Sequence, residues 1–198
     1  MLLPNFFIAK SLIKGFRNAT IQAKVKGVVE LYAIIGSDWE HPPISRYGGK
    51  GDFGFQFEFN SNLPIPDNFF TGSSFSLYSI GLIDVIKGFD VEYETFDATL
   101  IDKKKGIEQV DSHKVFHLLS EFSIIDWEKT IHDKFSYFKS IALNEDRVKS
   151  APAFFVNSET RNYHFMREDL KEAIEAAGLT GFSFQTLDEF ARTSRGLK

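Results

Sequence analysis

Four phenylalanines alternate with small or polar residues in one short segment of the chain. They are Phe53, Phe55, Phe57 and Phe59. Successive side chains of a β-strand point to opposite faces, so this spacing places all four rings on one face and Gly54, Gln56 and Glu58 on the other. The segment therefore predicts a strand with one face packed on an apolar core and the other turned to water.

Aromatic residues dominate the rest of the chain as well. Phenylalanine accounts for 22 of the 198 residues, and each buried aromatic side chain removes about 150–250 Å² from water. The length corresponds to one substantial domain, so we expect a single compact unit over 1–198. A division into a β-rich half (1–88) and an α+β half (89–198) is the open alternative.

Strand patterns outnumber helix patterns along the chain. Strands are expected at 28–35, 53–59, 91–101, 107–110, 114–125, 136–143, 153–157, 162–165 and 181–185, and helices at 75–87 and 168–177. Gly178 is expected to end the second helix in a left-handed conformation, with Leu179 touching Ile174. Residues 187–198 are expected to form a polar tail. The prediction is an α+β fold of mainly antiparallel sheets with a few short helices, one of them near the C-terminus.

The charge balance restricts the class of partner. The chain has 23 basic and 27 acidic residues, and residues 1–29 contain five basic and no acidic ones. The acidic excess therefore falls on the remainder, which disfavours nucleic acid and favours a basic protein partner. The absence of cysteine excludes disulfides and thiolate sites. With neither a secretory-signal pattern nor an apolar run of about 18 residues, we expect a cytoplasmic protein without a membrane partner.

Patterns typical of catalysis are weak. His113 and His117 lie four residues apart, a spacing that can place both on one side of an element, so a metal-assisted hydrolase is one alternative. However, the chain contains no HExxH motif and no GxSxG motif, and the glycines at 48–51 lack phosphate-loop spacing. We expect neither an enzyme nor a metal or cofactor site.

Acidic and aromatic residues provide the candidate binding surface. Asp90, Glu92 and Glu94 occupy alternate positions before and within a predicted strand, so they are expected to project together and attract a basic partner. The alternative is a solvated strand face that discourages edge pairing. Trp39 and Tyr47, in the turn-rich segment 36–52, are candidate interface anchors. A third hypothesis is a structural protein that oligomerises through its aromatic sheet.

The last third of the chain contains a familiar pattern. VFHLLSEFSIIDWEKT (115–130), APAFFVNSE (151–159) and FMREDLKEAIEAAGLTGFSF (165–184) resemble the immunity proteins of bacterial polymorphic toxin systems, in particular a large family typified by a myxobacterial member. Arg167 occupies the position where that pattern usually has a serine-like cap, so the helix must be capped otherwise, by Asp169 or by solvent. The resemblance implies a non-enzymatic protein that binds and neutralises a cognate toxin domain, such as a basic nuclease.

Overall fold

The computed structural model describes residues 4–11, 22–25, 55–59, 64–70, 76–132, 138–158 and 163–194. Within these ranges the strands are β1 (Phe6–Ser11), β2 (Gln22–Val25), β3 (Phe55–Phe59), β4 (Asn68–Phe70), β5 (Ser76–Ser79), β6 (Tyr93–Asp102), β7 (Ile107–Leu118), β8 (Glu121–Phe122), β9 (Ile131–His132), β10 (Phe138–Ser140), β11 (Phe154–Asn157), β12 (His164–Arg167) and β13 (Phe182–Gln185). The helices are α1 (Ile80–Ile86), α2 (Glu145–Val148), α3 (Glu168–Ala176) and α4 (Leu187–Ser194). The expected α+β class is confirmed.

One sheet has six strands in the order β2-β3-β6-β7-β5-β4, all antiparallel neighbours except the parallel pair β3 and β6. Strands β6 and β7 form a hairpin across the expected turn at 103–106. Asp102 accepts hydrogen bonds from the backbone N–H groups of Lys104 and Lys105, and Gly106 takes a φ of 65°. This left-handed conformation is accessible to glycine without steric cost.

The second sheet has five strands in the order β13-β1-β12-β11-β8. Strand β1 lies between β12 and β13, with Phe6 opposite Arg167 and Ile8 opposite Gln185. Both large sheets therefore contain strands from either side of residue 88, so the sheets do not divide the chain there. A separate two-stranded sheet pairs β9 with β10.

Two apolar clusters cover the two faces of the five-stranded sheet. The first lies between this sheet and the six-stranded sheet and includes α1 and α3; its buried members are Ala9, Tyr78, Leu82, Ile83, Ile86, Phe116, Ala153, Phe154, Met166, Leu170 and Ile174. The second includes α4, and its buried members are Phe6, Ile8, Ile124, Ile125, Phe138, Val148, Ala151, Phe155, Phe165, Phe190 and Ala191. Aromatic side chains are thus buried on both faces of the five-stranded sheet, and Phe57 and Phe69 are buried on the six-stranded sheet as well.

A close backbone contact joins the two large sheets beside α3. Asn68 of β4 donates its N–H to the carbonyl of Thr180 at 3.0 Å. Gly181 has a φ of 96°, and a Cβ atom there would lie 2.2 Å from the carbonyl oxygen of Asn68. Only glycine fits this approach. Asp67 adds side-chain hydrogen bonds to Ser79 and Thr180 on either side of the contact.

The end of α3 follows the expected geometry. Gly178 has a φ of 67°, its N–H donates to Glu175, and the N–H of Leu179 donates to Ile174 at 3.2 Å. This is the paired hydrogen-bond pattern of a Schellman motif. At the other end of the helix, the N-cap residue Arg167 makes no side-chain cap hydrogen bond. Asp169, one of the two alternatives to a serine cap, accepts a hydrogen bond from the N–H of Leu170 at 2.9 Å.

Four sequence expectations need correction. Residues 76–79 are strand β5 and not helix, because they pair with both β4 and β7, and α1 begins only after its N-cap Ser79. Strand β7 runs unbroken from Ile107 to Leu118 and ends before β8, so 114–125 is not one strand. Glu58 does not face water, because its side chain is buried beside Lys103. The predicted strand at 28–35 and Phe53 lie outside the described residues.

The fourth correction concerns the end of the chain. Residues 187–194 form α4, whose Phe190 and Ala191 are buried, and not a polar tail. The carboxylate of Glu189 accepts from the N–H of Thr186 at 2.8 Å, and the Thr186 hydroxyl accepts from the N–H of Glu189 at 3.2 Å. This reciprocal arrangement is a capping box, which fixes where the helix starts. None of the helices in the described ranges is long and apolar enough to cross a membrane.

Candidate functional site

An open cleft of about 500 Å³ lies where the connection between α1 and β6 meets the connection between β7 and β8. Its lining residues are Phe89, Asp90, Val91, Glu92, Ser120, Glu121, Phe122 and Pro152. The cleft is within the size range of ligand-binding pockets, about 300–1,000 Å³. It combines carboxylates with aromatic rings, and two of its acids are among the residues singled out from the sequence.

Backbone hydrogen bonds hold the two sides of the cleft together. The N–H of Glu92 donates to the Ser120 hydroxyl at 2.7 Å, and the Glu92 carbonyl accepts from the N–H groups of Leu119 and Ser120 at 2.8 and 3.1 Å. The Ser120 carbonyl in turn accepts from the N–H of Val156 on β11 at 2.9 Å. The segments that bear Glu92 and Glu121 are therefore fixed relative to each other and to the five-stranded sheet.

The three carboxylates of the cleft differ in their pairing. Asp90 accepts from Nη2 of Arg167 at 3.2 Å, and Arg167 also binds Asp169 and the carbonyl of Ala151. Glu92 and Glu121 are both exposed, and neither side chain has a hydrogen bond or ion pair with the part of the chain that the structure describes. The cleft therefore has one carboxylate with its own counter-charge and two that face solvent.

Aromatic side chains supply the apolar part of the cleft. Phe89 and Phe122 are each partly buried, so each ring is anchored in the protein and also reaches the lining. Phe122 makes an edge-to-face contact with Phe155 of β11, with ring centroids 5.8 Å apart. Anchored rings beside carboxylates create a surface that suits a cation with an apolar stem.

The structure separates the three acids that the sequence grouped. Asp90 and Glu92 precede β6, which begins at Tyr93, so the expected row along one strand is wrong. The hydrogen bonds of Glu92 to the segment 119–120 hold it outside the ladder of β6. Glu94 lies on β6, where its carboxylate is 2.7 Å from Nδ1 of His117 and only 13% exposed, so it is not part of the cleft lining.

Other candidate residues have different outcomes. Trp39 and Tyr47 lie outside the described residues, and their role as anchors stays a prediction. The sequence patterns do not indicate Glu121 and Phe122, because the apolar run at 114–125 predicts one strand through them. The polar Ser120-Glu121 pair interrupts the apolar run there, and it was the available sign of a break.

The two histidines proposed as metal ligands are kept apart by β7. Their backbone positions are about 13 Å apart along the strand, and each imidazole has its own partner. Nδ1 of His117 lies 2.7 Å from the carboxylate of Glu94. His113 is buried, and Nε2 donates to the carbonyl of Pro66 at 3.1 Å, which leaves Nδ1 to accept from Ser112. Burial lowers the pKa of His113. The pair therefore does not form a shared metal site, and no group of three ligating side chains occurs within the described ranges.

Comparison with known proteins gives no assignment, since no protein-family model matches the chain and a search of curated proteins finds no match. The resemblance to immunity proteins accordingly stays a prediction from the three sequence segments. In the structure the segment 115–130 spans the end of β7 and β8, 151–159 contains β11, and 165–184 contains most of β12, all of α3 and the start of β13.

Proposed function

We propose that this protein is a binding protein of the immunity type, which neutralises a toxin domain by direct contact and uses the acidic cleft to engage a basic surface on it. The observation that carries this proposal is the cleft itself, with its exposed carboxylates beside anchored aromatic rings. Protein interfaces typically combine a buried aromatic centre with a polar rim. The cleft has a similar composition, and its volume of about 500 Å³ is enough for one or two side chains of a partner.

The resemblance supports the same location. Ser120, Glu121 and Phe122 belong to the segment 115–130, and Pro152 belongs to the segment 151–159. Half of the cleft lining therefore comes from segments that resemble immunity proteins. An inhibitor needs a surface that is already shaped before it meets the toxin, because ordering on binding costs affinity. The hydrogen bonds of Glu92 to the opposite side of the cleft supply that rigidity.

The charge of the cleft suits an encounter with a basic toxin, such as a nuclease. Exposed carboxylates on a rigid surface increase the association rate with a basic partner, and the effect decreases as salt screens the charges. Asp90 is partly neutralised by Arg167, so Glu92 and Glu121 should supply most of this attraction.

The proposal is tested by co-expressing the protein with the toxin domain encoded beside its gene. We expect a 1:1 complex in light scattering and loss of toxicity in growing cells. The double variant Glu92→Gln/Glu121→Gln should associate about tenfold more slowly at low salt. Glu108→Gln/Glu172→Gln, which also removes two carboxylates but from exposed positions on β7 and α3 outside the cleft, is the matched control and should associate at the wild-type rate.

Failure to form a complex, or full toxicity in the presence of the protein, would refute the immunity function. A stable homo-oligomer without toxin binding would instead favour the structural hypothesis. If a complex forms and the double variant associates at the wild-type rate, the function stands and the cleft is not the contact surface.

A further inference from the structure

We infer that the cleft accepts an arginine side chain of the partner, in preference to lysine. This inference rests on the proposed function for its biological setting, but it concerns a property of the isolated protein. The relevant feature is the combination of two solvent-facing carboxylates, Glu92 and Glu121, with the rings of Phe89 and Phe122 around one open cavity.

Charge complementarity first limits the occupant to a cation. The lining has three carboxylates and no basic residue, and Asp90 alone is paired, through Arg167, which is not in the lining. Within the described ranges, the other two carboxylates have no counter-charge of their own. A positively charged side chain would supply it.

The aromatic lining then distinguishes between the two long cationic side chains. A guanidinium group is planar and weakly hydrated, so it stacks on aromatic rings while its N–H groups donate to carboxylates. An ammonium group is compact and strongly hydrated, and it loses more hydration beside Phe89 and Phe122. The volume of about 500 Å³ leaves room for an arginine side chain with its methylene stem.

The protein already binds one guanidinium group at this edge. Arg167 donates to both oxygens of Asp169 at 2.9 and 3.0 Å and reaches Asp90 at 3.2 Å. Its side chain is 21% exposed, so it is bound in a half-buried position between carboxylates. Glu92 and Glu121, which line the same cleft as Asp90, offer carboxylate acceptors to an incoming arginine.

The test uses two small probes, N-acetyl-arginine methylamide and N-acetyl-lysine methylamide, titrated into the purified full chain at low salt. Binding is followed by the amide NMR shifts of the cleft residues. We expect saturable shifts with the arginine probe and a Kd at least about fivefold lower than for the lysine probe. The double variant Glu92→Gln/Glu121→Gln should weaken arginine binding about tenfold, whereas the control Glu108→Gln/Glu172→Gln, which removes two carboxylates outside the cleft, should leave it unchanged.

Equal affinities for the two probes would overturn the inference, as would unchanged arginine binding by the double variant with its thermal unfolding preserved. The results also separate this inference from the proposed function. Selective arginine binding by a protein that forms no toxin complex would refute the function and support the inference. If the protein forms a toxin complex but shows no selectivity for arginine, the proposed function is supported and this inference is refuted.

Discussion

The β6–β7 hairpin joins strands that are neighbours in the sequence, whereas the five-stranded sheet joins β1 to strands near the other end of the chain. In the hairpin, a turn at 103–106 with Gly106 at a positive φ is enough to bring the strands together. In the five-stranded sheet no turn links β1 to its neighbours. Its pairing depends on burial of apolar side chains on both faces, as in Phe6, Ile8 and Ala9.

This difference implies that core substitutions in the five-stranded sheet should lower the free energy of unfolding more than turn substitutions in the hairpin. Phe155 of β11 is fully buried, stacks on Phe165 with centroids 5.5 Å apart, and contacts Phe6 and Phe122 edge to face. Phe155→Ala should lower the free energy of unfolding by about 3–5 kcal/mol. Urea denaturation measures the loss, and Phe155→Leu, which keeps most of the volume, should lose less. A loss below about 1 kcal/mol would show that this core is not densely packed.

A substitution at the contact between the two sheets should lower the free energy of unfolding less than Phe155→Ala, and by an amount that depends on pH. Burial raises the pKa of Asp67, but hydrogen bonds from Ser79 and Thr180 outweigh it and leave the pKa below its usual value. Because the folded pKa is lowered, the stabilisation is present above the unfolded pKa of about 3.9 and is lost as the pH falls through the folded value. Asp67→Asn should cost about 2 kcal/mol at pH 7, since it removes charge-assisted hydrogen bonds.

The difference in the free energy of unfolding between wild type and Asp67→Asn should therefore decrease as the pH falls below about 4. Thermal unfolding at a series of pH values measures it. Asp84→Asn, which removes a carboxylate from an exposed ion pair with Lys87, is the control and should change stability little. A cost for Asp67→Asn that stays constant down to pH 2 would contradict the role given to the ionised carboxylate.

The smallest effect is expected in the hairpin. A Cβ atom on Gly106 would have no neighbour within 4 Å, so Gly106→Ala should destabilise the protein only because alanine disfavours the left-handed conformation. We expect a loss of about 1 kcal/mol. Gly106→Asn should lose less, because asparagine tolerates this conformation. Urea denaturation of both variants measures the loss in free energy of unfolding. A loss for Gly106→Ala as large as that for Phe155→Ala would contradict the expectation that the core is more sensitive than the turn.

The same contrast explains how much of the fold the sequence could predict. Signals contained within a few residues were sufficient for the β6–β7 turn, the strand around Phe57 and the end of α3 at Gly178. The local pattern predicts helix at β5, but the conformation there is set by two strands, β4 and β7, that pair on either side of it. Helix α4 could have been found, since Thr186 and Glu189 have the spacing of a capping box.

The candidate site was predictable only in part. Asp90 and Glu92 were selected for their charge, and the structure places both in the cleft. Glu94 continues the same alternation, but its carboxylate is hydrogen-bonded to His117 across the hairpin and does not line the cleft. Glu121 and Phe122 reach the cleft through pairing of β8 with β11, a contact between distant segments that no local pattern encodes.

The position of β1 also affects how the protein is made. Strand β1 is translated before both of its neighbours, β12 and β13, and the sheet cannot close until Gln185 has left the ribosome. During that interval the side chains of Phe6 and Ile8 lack their final burial, and exposed apolar surface of this kind promotes aggregation. Completion of this sheet therefore follows synthesis of β12 and β13, and synthesis that stops before them would leave β1 without its neighbours.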